Sequence, residues 1–304
     1  IDWLDAGVVS LVGEPFLASG AIPALDLFRV IAPAILAAGL IAWRNDAIES
    51  RIRIVLASIA GALAITAIHS LYKGAWGLET LAQFTQYGMA ERTIWQALML
   101  AGAYAATHFS TSRISRQASW ALTAAALAHF AWFTLILHNA LWDDQLVGSL
   151  PVINLIPLAY GVALAGLVLT KRFVSQLSLP AARIAIDIAM MALISLMAVT
   201  LLRQFFAGSL LNQTPIGQTE SLLISLLGIV LALGFLLWGS RTGQRSWRVG
   251  SLVLMLLAVV KVFLIDAAGL DGLLRIASFM ALGFSLIGIG WFYTRQLKGE
   301  ASAA

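Results

Sequence analysis

The chain has 304 residues, of which 60% are hydrophobic and only 11% charged, with a mean hydropathy of +0.89 and a formal charge of +4. Soluble domains run at roughly 45–50% apolar and about 25% charged residues, so this balance excludes a water-soluble domain, a nucleic-acid binder and a disordered tail. What remains is an all-α integral membrane protein in contact with the lipid bilayer.

A membrane-crossing helix needs about 20 mostly apolar residues, and nine stretches qualify in chain order. After an outer N-terminal segment, 1–22, the first is 24–43, opening on Asp26 and Arg29, which sit three apart and can pair on one helix face. The second, 54–71, ends at His69 and is followed by Lys73. A long outer loop, 72–93, carries Trp76, Phe84 and Tyr87 and leads through Glu91 into the third span, 94–109. The fourth, 119–141, has His138 near its outer end, and the fifth, 152–170, opens on Asn154. The sixth, 184–202, holds Asp187 four residues after Arg183, a spacing that predicts an i,i+4 pair. Arg203 and Glu220 bound a second long outer loop before the seventh span, 221–238. Lys261 and Asp266 close the eighth, 249–265, and Arg275 opens the ninth, 276–293. A β-barrel is excluded, because no stretch alternates polar and apolar side chains.

Charge fixes the expected orientation. Thirteen of the nineteen basic residues fall in the connections after odd-numbered spans and in the tail, while eleven of the fifteen acidic residues fall on the opposite side. The two faces carry +9 and −5, and the positive-inside rule puts the N-terminus outside and the C-terminus in the cytoplasm.

The chain also resembles itself. Residues 23–44 align without a gap to 151–172, Asp26 falling on Asn154 and Arg44 on Arg172. Lys73 then falls on Arg203, Glu91 on Glu220, His138 on Asp266 and Asp143 on Asp271, at offsets of 128 to 130 residues. This predicts two parallel four-helix repeats, 23–150 and 151–274, with the ninth span and tail, 275–304, beginning a third. The chain opens on Ile1 and not methionine, so a processed form, or a piece of a longer protein with further spans upstream, is expected.

The most distinctive stretch is Glu220–Gln296, with V-V-K-V-F-L-I-D-A-A-G-L-D-G-L-L-R-I-A-S-F at its centre and a W-F-Y-T-R tail. Through Lys261, Asp266, Leu270, Gly272, Arg275, Ser278 and Phe279 it resembles the C-terminal region of the bacterial membrane proteins grouped as domain of unknown function 2339. Asn154 within P-V-I-N-L-I-P-L-A-Y-G looks like a further motif of that group. The resemblance implies a multi-pass protein of the bacterial inner membrane and supplies no activity.

Ionisable groups inside spans cost about 2.5–3.5 kcal/mol at a helix centre, so they are the first places to seek function. Topology sets Asp26, Arg29, Lys73, Glu91, His138, Asn154, Arg203, Glu220, Lys261, Asp266, Asp271 and Arg275 at one outer level as a candidate substrate site. Asp271 and Arg275 are four apart and can pair, whereas Lys261 and Asp266, five apart, face away from each other, sending Lys261 to another helix or to the surface. Two readings of the layer follow. One is transport-like handling of a small anionic or envelope-derived solute; the other is a non-catalytic scaffold or assembly subunit that uses the charges as helix glue. An envelope enzyme acting on a lipid-linked substrate is a weaker third. Cofactors and metals are not expected: cysteine is absent, and the four histidines sit at depths unsuited to sharing a haem. Other membrane subunits are possible partners.

Overall fold

The computed structural model describes residues 2–17, 20–43, 49–109, 112–177 and 179–266, with 280, 283–284 and 286–291 beyond them. The helices are α1 (Asp2–Val12), α2 (Ala24–Trp43), α3 (Ser50–Trp76), α4 (Leu81–Phe109) and α5 (Arg113–His129), which runs on into a π-helical segment, Phe130–Leu137. Then come α6 (Leu155–Gln176), α7 (Pro180–Ala207), α8 (Gln218–Arg241) and α9 (Arg245–Lys261), which also runs on into a π-helical segment, Val262–Asp266. Among the described residues there is no strand; one antiparallel bridge joins Leu146 to Leu210.

Seven of these helices are long and apolar enough to cross a membrane among the described residues, against the nine spans expected: α2, α3, α5 with its π segment, α6, α7, α8 and α9 with its π segment. Half of the ninth expected span, 276–293, lies outside the described residues, as do Asp271 and Arg275. The third, 94–109, is the second half of α4, whose 29 residues make a rod of about 43 Å, ample for a core of about 30 Å. Glu91, Arg92, three glutamines and His108 hold its mean hydropathy below that of the other seven.

The expected outer loop 72–93 does not exist as a loop. α3 continues to Trp76, Gly77 ends it in the left-handed conformation (φ 58°), and α4 begins at Leu81. The local cause is a capping box. Thr80 Oγ1 accepts from the Gln83 amide at 3.2 Å, and Gln83 Oε1 accepts from the Thr80 amide at 3.2 Å and from Glu79 at 2.7 Å. Lys73 and Glu91 are therefore helix residues facing each other across α3 and α4.

α4 lies antiparallel to α5 and its π segment along their whole length, since Ser115 donates to the Ala106 carbonyl at one end and Arg92 reaches the His138 carbonyl at the other. α6 packs into the angle between α4 and α5. Its Ala159, Ala163 and Gly166 face inward, and a Cβ on Gly166 would lie 3.0 Å from Leu127, so glycine sets this close approach. The main core lies here, joining Phe130, Ile156, Tyr160, Leu193 and Leu211 across α5, α6 and α7. The packing thus forms a central slab, α4–α7, flanked by the hairpins α2–α3 and α8–α9, and the slab cuts across the boundary between the two sequence units.

A seam of polar backbone closes one end of the slab. Leu146 donates to Thr85 at 2.9 Å and Val147 to Ser209 at 3.1 Å, while Gln204 Nε2 reaches the Gly148 carbonyl at 2.9 Å. Asn154 caps α6 by accepting from the Ile156 amide at 2.8 Å, and its Nδ2 donates to Gln204 Oε1. Losing a cap costs about 1 kcal/mol, and this one also holds the seam. Asn154→Ala is expected to destabilise by about 1–2 kcal/mol, and Asn154→Asp to retain the cap, read by unfolding in mild detergent.

Candidate functional site

Two buried ion pairs dominate the seam end. Lys73 Nζ lies 2.6 Å from Glu91 Oε1, and Arg203 Nη1 lies 2.6 Å from Glu220 Oε2, all four side chains being buried. Lys73 and Arg203 are each the twenty-fourth residue of their helix, α3 and α7. The residues that the sequence aligns at offsets of 130 and 129 thus make similar contacts, each pair tying a flanking hairpin to the slab.

The two pairs differ in their surroundings. Arg203 is closed on all sides: Nε donates to the Leu211 carbonyl at 3.1 Å, and Nη2 donates to the Thr214 carbonyl and to its hydroxyl. Around Lys73, by contrast, a second cation is buried. Arg92, 2% exposed, donates from Nη2 to Gln145 Oε1 at 2.7 Å and packs over the Phe84 ring, 5.6 Å to its centroid. Gln145 in turn donates to Asp143 at 3.2 Å. Arg92 Nε and Nη1, Glu91 Oε2 and Gln96 Oε1 have no hydrogen-bond partner, although each is buried. Two buried cations thus share one buried carboxylate, with Asp143 at the half-exposed rim.

A polar chain continues inward from this centre. Gln96 bonds His129 at 3.1 Å and Thr134 at 3.3 Å, both in the α5 rod, and His69 bonds Ser10 of α1 at 2.8 Å. Tyr72 donates to the Glu91 carbonyl at 2.6 Å and stacks on Trp95. His138 stands between two acceptors, the Asp143 carboxylate and the Gly13 carbonyl, each at 2.8 Å.

The remaining predicted residues lie apart from this centre. Asp26 and Arg29 form the expected i,i+3 pair at 3.0 Å, with Arg29 exposed. Lys261 does turn to another helix, donating to Ser221 and Ser225 of α8 at 2.8–2.9 Å. Asp266 ends the second π segment. Asp187 does not pair with Arg183: its two oxygens accept from Lys171 and Ser246, each at 2.5 Å. Arg92, Gln96 and Gln145 were missed by the sequence reading. Their signal was the Glu91–Arg92 doublet inside an otherwise apolar helix. Among the described residues no three His, Cys, Asp or Glu side chains gather as metal ligands.

No curated protein and no solved structure matches the chain. The family model described as Predicted membrane protein (DUF2339) matches residues 1–296, far beyond the C-terminal stretch where the motif is legible. The chain belongs to that family of membrane proteins.

Proposed function

We propose that this is a multi-pass protein of the bacterial inner membrane, transport-like in function, whose first four-helix unit holds a small anionic solute at Lys73 and Arg92. One observation carries the reading: two buried cations meet one buried carboxylate there, with guanidinium hydrogens on Arg92 unmatched. A buried charge without a partner is costly, and an anion would complete the site. Glu91 and the His129–Gln96 chain supply groups able to move a proton with it. The topology that goes with this reading has α4 as a further crossing, the N-terminus outside, and two parallel units. The cations of both ion pairs standing at the twenty-fourth residue of their helices, and both fourth helices ending in a π segment, support the repeat.

The test is anion efflux from proteoliposomes loaded with chloride, phosphate or succinate. Wild type is expected to exceed protein-free vesicles for at least one of these anions, and Arg92→Gln to lower that rate about tenfold or more. Absence of flux for all three from folded protein removes the transport reading. The scaffold reading then stands, and a specific observation favours it: Arg203 is engaged at Nε, Nη1 and Nη2 by Leu211, Glu220 and Thr214, which leaves it nothing to offer a solute.

A further inference from the structure

A sizeable cavity lies away from the ion pairs. It is a groove of about 890 Å³ between α7 and α9, at the end where both helices begin. It runs along α7 from Arg183 to Ser195 and along α9 from Arg245 to Leu257, twelve residue steps in each. At 1.5 Å per residue that is about 18 Å, close to the roughly 15 Å of one leaflet's hydrocarbon.

The two ends of the groove differ in chemistry. Its length is walled by Ile184, Ile188, Met191, Val249, Val253 and Leu257, most of them exposed on the flank of the helices. Gly250 shapes the floor, because a Cβ there would lie 2.3 Å from Met191 Cε; only glycine lets the flexible thioether lie across α9. At the mouth stand Arg183 and Arg245, both exposed and, among the described residues, without an ion pair. The one carboxylate there, Asp187, is already matched by Lys171 and Ser246, so it does not offset the arginines.

We propose that this groove binds an anionic phospholipid, with its phosphate between Arg183 and Arg245 and acyl chain against the apolar wall. Length, sideways opening and a basic mouth at one end match an amphiphile lying along a leaflet. A partner helix would leave the two arginines at the mouth without a counter-charge. A soluble anion has no use for the apolar length. Arginine also suits phosphate, which it grips with two parallel donors. The site is independent of the anion centre around Arg92, and neither proposal depends on the other.

The experiment is native mass spectrometry of the full chain extracted from vesicles of equal phosphatidylglycerol and phosphatidylcholine. Wild type is expected to retain phosphatidylglycerol at least tenfold over phosphatidylcholine. Arg183→Gln with Arg245→Gln, both at exposed positions, is expected to abolish that preference while leaving the melting temperature unchanged. Ala192→Trp places a ring in the groove from an exposed position and is expected to lower retention of both lipids. Equal retention of the two lipids by wild type overturns the proposal, and so does indifference to Ala192→Trp. A disulfide formed between Val253→Cys and Ile287→Cys in this cysteine-free chain would show that its own last segment fills the groove, which also overturns it.

Discussion

Arg203→Ala is expected to lower the unfolding free energy by about 3–5 kcal/mol, the usual cost of stranding one member of a buried ion pair. The loss has three parts: Glu220 keeps its charge at 2% exposure without a partner, and the Leu211 and Thr214 carbonyls lose their donor. Removing both charges tells the rest. In Arg203→Met with Glu220→Leu no charge is stranded, and buried pairs exchanged for apolar residues of similar volume are often neutral or better. The double variant is expected to recover most of the stability, short of the two orphaned carbonyls. Urea or SDS unfolding in mild detergent, run on both singles and the double, reads this directly. If Arg203→Ala costs under about 1 kcal/mol, the clamp has no structural role.

Glu91→Ala is expected to cost as much, about 3–5 kcal/mol, but its rescue should fail. In the first unit the carboxylate is shared between the charges of Lys73, at 2.6 Å, and Arg92, the next residue in the chain. Lys73→Met with Glu91→Leu leaves Arg92 as a buried cation whose nearest carboxylate, Asp143, is reached only through Gln145. The double is therefore expected to stay at least about 2 kcal/mol below wild type, where its counterpart in the second unit recovers. A third change, Arg92→Met, is expected to restore stability while abolishing any anion flux. Equal recovery in both units would mean that Arg92 is compensated in some other way, and the anion site would lose its basis.

The fold class was legible because composition alone forces it, and α2, α3 and α5–α9 lie where apolar runs of membrane length lie. α4 was half legible. An apolarity criterion finds 94–109 and stops at Arg92, while the cap that starts the helix, Thr80 with Gln83, is a side-chain pattern that apolarity does not register. The two ion pairs were legible as a level, since nearly equal offsets, 130 and 129, carry Lys73 to Arg203 and Glu91 to Glu220. That they bond each other depends on α3 and α7 running a turn past their apolar stretch. Asp187 shows the opposite case. Its i,i+4 neighbour Arg183 was the obvious partner, yet Lys171, sixteen residues away across the α6–α7 turn, takes the carboxylate. No periodicity encodes such a choice, because the winner is set by how two helices splay at their connection. The π segments are silent in sequence for a similar reason: 130–137 and 262–266 are ordinary apolar runs whose winding is decided by neighbours.

The slab with its two flanking hairpins has a mechanical consequence. The α8–α9 hairpin is tied at both ends, by Arg203–Glu220 at one and by Ser246 and Gln244 on the Asp187–Lys171 pair at the other. The α2–α3 hairpin packs lightly on α4, and Tyr72, Lys73 and the His69–Trp95 contact that join it there all lie in the last third of α3. One leaf is thus held to the slab at both ends of its helices, while the ties that join the other gather within two turns of α3 around Lys73.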